Sequence, residues 1–237
     1  MKLKSLILSG AVLVFFLCTQ GMAMAHTLTF TDGYGKYQTG LGGEFTATPS
    51  AGLNWLLNNY DSKVVAKTGT FQTFCMEFNE HISINTPYNA VLSNAATNGG
   101  VSGGGVNKSD PLSIGTAYLY DQFAKGALAG YEYNTSGINE SGREASAAAL
   151  QNTIWWLEGE QGKPNNSFVD LVISQFKGET NAMLDNNGSF AVRVVNLIAK
   201  DGTASQDQLA AVPIPSALYL LAPGLLGLIG FKRKYLG

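Results

Sequence analysis

Polar and apolar residues alternate over residues 26–31 (HTLTFT) and again over 44–48 (EFTAT). This period of two turns every second side chain of a strand toward a core. Residues 53–57 and 63–67 read as further short strands. The longest such run is 71–78 (FQTFCMEF), which puts Phe71, Thr73, Cys75 and Glu77 on one face and Gln72, Phe74, Met76 and Phe78 on the other, more apolar one. After Asp110-Pro111 the period changes. Residues 112–123 have helical spacing with Leu112, Leu119 and Phe123 near one face, closed by Gly126 and Gly130. Residues 142–158 place Ala147, Leu150, Ile154 and Leu157 on one face, and Ala148, Ala149, Trp155 and Trp156 widen it, so this should be the most buried helix. Ser141 with Glu144 three residues on reads as its capping box. A third helix is expected over 167–176, a strand over 190–199 after the turn Asp185-Asn186-Asn187-Gly188, and a polar linker over 203–211. The pattern predicts a mainly β domain, sandwich or barrel, with two or three inserted α-helices (α+β).

Both ends depart from this pattern. Lys2 and Lys4 precede an apolar run over 6–17, and Ala23-Met24-Ala25 is a small-x-small cleavage site, so residues 1–25 read as a signal peptide removed before His26. Cys18 leaves with it, and Cys75 is then the single cysteine. At the other end, the eighteen residues 214–231 carry no charge, enough to cross a hydrocarbon core of about 30 Å as a transmembrane helix. Lys232, Arg233 and Lys234 follow, which keeps the tail inside and everything before it outside. Pro215, Pro223 and the minimal length make a poor permanent anchor. The expected organisation is a leader (1–25), an exported globular domain (26–202), a linker (203–211) and a sorting tail (212–237). Of the fifteen basic residues two fall in the leader and three in the tail, leaving ten against seventeen acids. An acidic body without a basic cluster argues against nucleic acid and anionic lipid as partners.

The order of parts in the tail, Val212-Pro213-Ile214-Pro215, then an apolar stretch with Gly224-Leu225-Leu226-Gly227, then Lys232-Arg233-Lys234, resembles the PEP-CTERM sorting signal of Gram-negative exported proteins. The resemblance covers about the last 26 residues and implies an exosortase, a membrane protease acting near the Pro motif. It also implies a passage through the inner membrane via 214–231 and then release to the cell surface or extracellular matrix, in biofilm or exopolysaccharide. An ordinary single-span anchor is the other reading.

Within the body, Phe74-Cys75-Met76 and Leu150-Gln151-Asn152-Thr153-Ile154-Trp155 resemble two islands of the thioester domains of Gram-positive surface adhesins. There an aromatic-Cys-apolar strand meets a Gln-x-x-[Ile/Val]-Trp helix and the two side chains join. The Thr often seen before that glutamine is Leu150 here. The resemblance implies that Cys75 supplies the thiol and Gln151 the acyl group of an internal thioester, with Phe74, Trp155 or Trp156 as its cover. Chemistry supplies a separate reason: thiol attack on an amide with loss of ammonia leaves an acyl group far more electrophilic than the amide, and burial keeps water from it. Trp155, one turn beyond Gln151, is placed to provide that burial. The competing reading makes Cys75 a small buried apolar residue and Gln151 a hydrogen-bonded core amide.

Catalytic patterns are weaker. Glu77, Glu80 and His81 do not share a strand face. Glu158 and Glu160 have no fixed separation that would mark a glycosidase pair. No glycine pattern of a nucleophile elbow surrounds a serine. Gly42-Gly43-Glu44-Phe45 coincides with the signature letters of diguanylate cyclases, but nothing else of that domain is present and the match reads as chance. A copper histidine brace built from a freed His26 amino terminus with His81 is a remote alternative. The expectation is a protein without turnover, cofactor or metal. Its partner beyond the exosortase is an extracellular polysaccharide, for which Trp55, Tyr131 and Tyr133 would suit stacking, or a surface nucleophile. An adhesive thioester protein and a carbohydrate-binding structural matrix protein stand as the two alternatives.

Overall fold

The computed structural model describes residues 26–33, 39–40, 42–97, 109–134 and 142–213. In chain order they form β1 (Thr27–Asp32), β2 (Phe45–Pro49), a 3-10 helix (Ala51–Asn59), β3 (Phe71–Thr73), β4 (Pro87–Ser93), β5 (Ala95–Thr97) and β6 (Ser109–Pro111). Helices α1 (Ile114–Ala124), α2 (Arg143–Leu157), α3 (Ser167–Phe176) and α4 (Glu179–Ala182) follow, then β7 (Val192–Ile198) and β8 (Ala204–Ala211). The fold is mainly β with a few helices.

Six strands make one antiparallel sheet in the order β3-β2-β1-β4-β7-β8, and β5 pairs with β6 beside it. The alternation of β1 works as its sequence predicts: Leu28 and Phe30 are buried opposite Pro49 and Ala47 of β2. Past β3 the chain stays extended, and Cys75 bridges Gln208 of β8. Leu209 N donates to Phe74 O at 3.1 Å and Met76 N to Asp207 O at 2.9 Å. The chain just past β3 and the edge strand β8 thereby meet through one bridge, beside which Tyr120 OH donates to Gln72 O at 2.7 Å and Leu209 O at 3.0 Å.

The two faces of the sheet carry two cores. On the inner face lie Leu28, Phe30, Phe45, Phe71, Cys75 and Val195. Outside, Phe74, Met76, Val194 and Leu209 face a helical layer that contributes Phe123, Leu150, Ile154 and Phe168. The neighbours Phe74 and Cys75 therefore enter different cores, as strand alternation requires.

Several expectations need correction. Residues 53–57 belong to the 3-10 helix, not to a strand; its buried Leu53 and Leu56 are three apart, the period of that helix. Residues 63–67 are turns in which Val64 alone is buried. Of 71–78 only the first three residues are ladder-paired strand, and Cys75 adds an isolated bridge. The linker expected over 203–211 is instead β8, paired along β7 and buried from Gln206 to Ala211. Its polar side chains are tolerated inside because they are hydrogen-bonded, as Gln206 Nε2 is to Glu77 O at 2.8 Å. Helix α2 matches 142–158 within one residue at each end and α3 matches 167–176, but α2 is not the most buried helix. Eight of the eleven residues of α1 are buried against nine of the fifteen of α2. The cause is position: α1 packs against α2, α3, α4, β7 and β8. Ser141 of the expected capping box lies outside the described residues, and Gly142 stands at the N-cap without a side-chain bond. Among the described residues no helix is long and apolar enough to cross a membrane; the stretch 214–231 expected to do so lies outside them.

Candidate functional site at Cys75 and Gln151

Helix α2 is tied twice to the segment that leads into β2. Its first residue, Arg143, meets Glu44 in a bidentate pair, Nη2 to Oε1 at 2.6 Å and Nε to Oε2 at 3.0 Å. The other guanidinium hydrogens reach the carbonyls of Val64 at 2.7 Å, Tyr133 at 2.7 Å and Lys63 at 3.1 Å. Tyr131 donates its hydroxyl to Glu44 Oε2 at 2.6 Å. All five Arg143 donors are used, which is the condition under which a buried charge is tolerable.

Two turns later on α2, Gln151 makes the second tie. Its Oε1 accepts from Cys75 N at 2.9 Å and Gly43 N at 3.2 Å, and its Nε2 donates to Cys75 O at 2.8 Å. The glutamine amide thus pairs with both backbone groups of Cys75 as a neighbouring strand would, and both residues are fully buried. Two glycines permit this approach. Gly43 has φ +134°, a region that L side chains rarely adopt. A Cβ on Gly42 would stand 2.5 Å from Trp155 Cζ2 and 3.3 Å from Gln151 Cγ. Gly42 is held in turn by its N–H to Thr39 O at 2.9 Å, and Thr39 Oγ1 donates to Asn152 Oδ1 at 3.2 Å.

Burial pushes the Cys75 thiol up to about 12, while hydrogen bonding from the Gln208 side chain and the Gly43 N–H pulls the other way and the charge of Glu77 adds to the rise. As a free thiol Cys75 is protonated at neutral pH and unreactive toward outside electrophiles.

Of the three residues expected as cover, Trp155 shares the inner core with Cys75 and is 1% exposed. Phe74 and Trp156 belong to the outer core with the helices, so neither is on the cysteine's side of the sheet. The partner of Trp155 is Phe78, edge-on at 4.9 Å between ring centroids and 44% exposed.

A second buried polar group follows two residues along. Glu77 Oε2 accepts from Asp207 N at 2.7 Å, and Asp207 accepts from Leu197 N at 3.0 Å and Thr97 N at 2.9 Å. Burial, then the charges of Asp207 and Glu80, raise Glu77 well above the usual carboxylate range, and burial, with the charge of Glu80 adding, raises Asp207 to about 7. Glu77 Oε1 is buried without a hydrogen-bond partner. Glu80 is half-buried with its charge felt at Glu77 and Asp207, whereas His81 is exposed. Glu158 accepts at 2.7 Å from Oγ of Ser113, the N-cap of α1, and burial raises it to about 7. Glu160 accepts from Phe78 N at 2.9 Å. These bonds give Glu158 and Glu160 separate structural partners.

His26 is exposed at the start of β1, where its carbonyl accepts from Ala90 N at 2.8 Å. Among the described residues no group of three or more His, Cys, Asp or Glu side chains is arranged to hold a metal. Tyr131 is buried in the outer core, Tyr133 is half-buried and Trp55 is 39% exposed. Val212 donates to Ala191 O at 2.8 Å and Pro213 is exposed. Ile214, Pro215, Lys232, Arg233, Lys234, Ala23 and Ala25 lie outside the described residues.

Sequence reasoning missed Gly42, Gly43, Glu44, Arg143, Phe78 and Gln208. Gly42-Gly43-Glu44 was visible as a run, but its letters carry no signal of what they approach until α2 is in place. The chain matches no family model, and no curated protein or solved structure is significantly similar to it.

Proposed function

We propose that this chain is an exported surface or matrix protein whose β domain carries an internal thioester between Cys75 and Gln151, and whose C-terminal tail is an exosortase sorting signal. The observation that supports the thioester is the pairing of the Gln151 amide with the backbone of Cys75, 76 positions away, inside a fully buried site. Burial is what an acyl thioester needs to outlast water. The function of such a bond is adhesion: a surface nucleophile opens it, and the chain is left covalently attached to its partner through Gln151. The sorting reading is supported by the residue pattern of 212–237 and by an exposed Pro213 just past β8, where a membrane protease has access. Export to the surface or matrix and passage through the inner membrane follow from that reading and from the leader 1–25.

A second reading has its own support. Both polar atoms of the Gln151 amide are already satisfied, and the thiol is held protonated. On this reading the pair is a structural lock and the chain is a matrix protein that binds carbohydrate or packs without covalent attachment. The intact mass of the purified protein separates the two. A mass lower by one ammonia, restored by methylamine uptake at Gln151 with release of a thiol at Cys75, is expected for the thioester; the unmodified mass leaves the lock. The same spectrum reports whether the chain has lost residues 1–25 and, in a host with an exosortase, Lys232 to Lys234.

A further inference from the structure

Resting on the thioester reading, we infer that the backbone N–H groups of Gly43 and Cys75 form an oxyanion hole around Gln151 Oε1, so that the domain catalyses its own acyl transfer. Both donors converge on one oxygen, at 3.2 Å and 2.9 Å, within a site that excludes water. This oxygen takes the charge when sulfur adds to the amide carbon. The nucleophile's own amide serving as one of two donors is the arrangement used by serine proteases for the same kind of step. Fixed backbone dipoles aimed at a developing oxyanion are the most effective electrostatic device for acyl transfer, because they need no reorientation.

The step balances without an outside reagent. Cys75 Sγ adds to Gln151 Cδ, the carbonyl π pair moves onto Oε1 and the two N–H groups receive it. Collapse re-forms the carbonyl and breaks Cδ–Nε2. The thiol proton goes to Nε2, which leaves as ammonia; nothing is oxidised or reduced. The bond from Nε2 to Cys75 O at 2.8 Å keeps the amide from flipping, so oxygen and not nitrogen occupies the hole. Opening by an amine passes through a tetrahedral intermediate with the same oxygen, and the same two donors serve it.

The hole also accounts for two features that packing alone leaves without reason. Gly43 takes φ +134°, which aims its N–H at α2. The bidentate Glu44–Arg143 pair fixes the adjacent residue to the start of the same helix, making both side chains positioning residues for the hole.

The test replaces the Gly43 N–H by an ester oxygen, using glycolic acid at position 43 in the full-length chain held in detergent. Ammonia loss is followed by intact mass after refolding, and methylamine opening is followed on the formed thioester. A fall of about 10²–10³-fold in both rates with unchanged circular dichroism and melting is expected, the usual cost of removing one such donor. Rates within a few-fold of wild type, with the thioester still forming, overturn the hole and leave the thioester intact. No ammonia loss in the wild type overturns both. Should the ester variant not fold, isotope-edited infrared spectra of wild type labelled with 13C at the side-chain Cδ of glutamine decide. A thioester carbonyl band at lower frequency in the native chain than after denaturation is expected, and the same frequency in both states overturns the hole.

Discussion

Two buried polar groups sit two residues apart on the same extended segment and are built on opposite terms. At Cys75 a neutral amide from α2 meets backbone N–H and C=O groups, and each atom finds a partner of the right sense. At Glu77 two carboxyl groups face each other, one oxygen has no partner, and burial drives both toward protonation. The first arrangement is indifferent to pH; the second takes up protons on folding. The difference shows which of the two is suited to hold a reactive bond: a site whose charge state never changes keeps its geometry in any medium the chain meets.

Making the first site resemble the second should have the largest effect. Gln151→Glu replaces a donor by an acceptor against Cys75 O and buries a charge. In a Cys75→Ala background, so that no thioester contributes, it should cost on the order of 3 kcal/mol at pH 8. The loss should shrink below pH 5, where a protonated carboxyl can again donate to that carbonyl. Urea melts at the two pH values measure it, and equal losses at both would show that the amide's orientation carries no energy.

The reverse conversion is smaller. Carboxyls whose native values are raised, Glu77 well above its ordinary 4.5, Asp207 to about 7 and Glu158 to about 7, stay protonated in the folded chain after the unfolded chain has released its protons. Their stabilisation is complete below pH 4; the share of Asp207 and Glu158 is lost as pH rises to about 7, and that of Glu77 as pH rises well above its ordinary 4.5. The expected fall for the wild type is several kcal/mol. Glu77→Gln keeps an acceptor for Asp207 N and removes the repulsion, so it should gain about 1 kcal/mol at pH 8 and lower the slope between pH 4 and 7 by about a third. A variant with the wild-type slope would place the proton uptake elsewhere.

These sites also divide what the residues disclose from what they do not. The Cys75 and Gln151 pairing was legible because each lies in a short motif, and α2 and α3 were legible from their apolar spacing. The alternation of Leu28 and Phe30 likewise located β1. Strand β8 was not, since Gln206-Asp207-Gln208 reads as solvated linker until the hydrogen-bond partners Glu77, Thr97 and Leu197 are brought up from distant parts of the chain. The Glu44–Arg143 pair spans 99 positions and has no local pattern at all. Periodicity reports burial of apolar faces; it is silent on buried polar groups, whose presence depends on partners that only the fold supplies.

The smallest effect on stability concerns the cover, and it separates the two sides of the sheet. Trp155 lies against Gly42 and Gln151 on one side and meets the half-exposed ring of Phe78 on the other. An edge-on aromatic pair is worth about 1 kcal/mol, and less here because Phe78 is 44% exposed. Phe78→Ala should therefore lower stability by less than about 1 kcal/mol. If Trp155 covers the buried pair, the effect on reactivity should be greater, because Trp155 loses the ring that packs on it. Methylamine opening of a thioester, or direct alkylation of Cys75 where none has formed, should speed up several-fold. Phe74→Leu supplies the contrast: Phe74 is wholly buried in the outer core, edge-on to Phe123 at 5.1 Å. That change should cost about 1 kcal/mol or more while leaving Cys75 no more reactive than its altered stability requires. Equal reactivity of the two variants at matched stability would mean that access to Cys75 runs through unfolding, and that Trp155 and Phe78 form no gate.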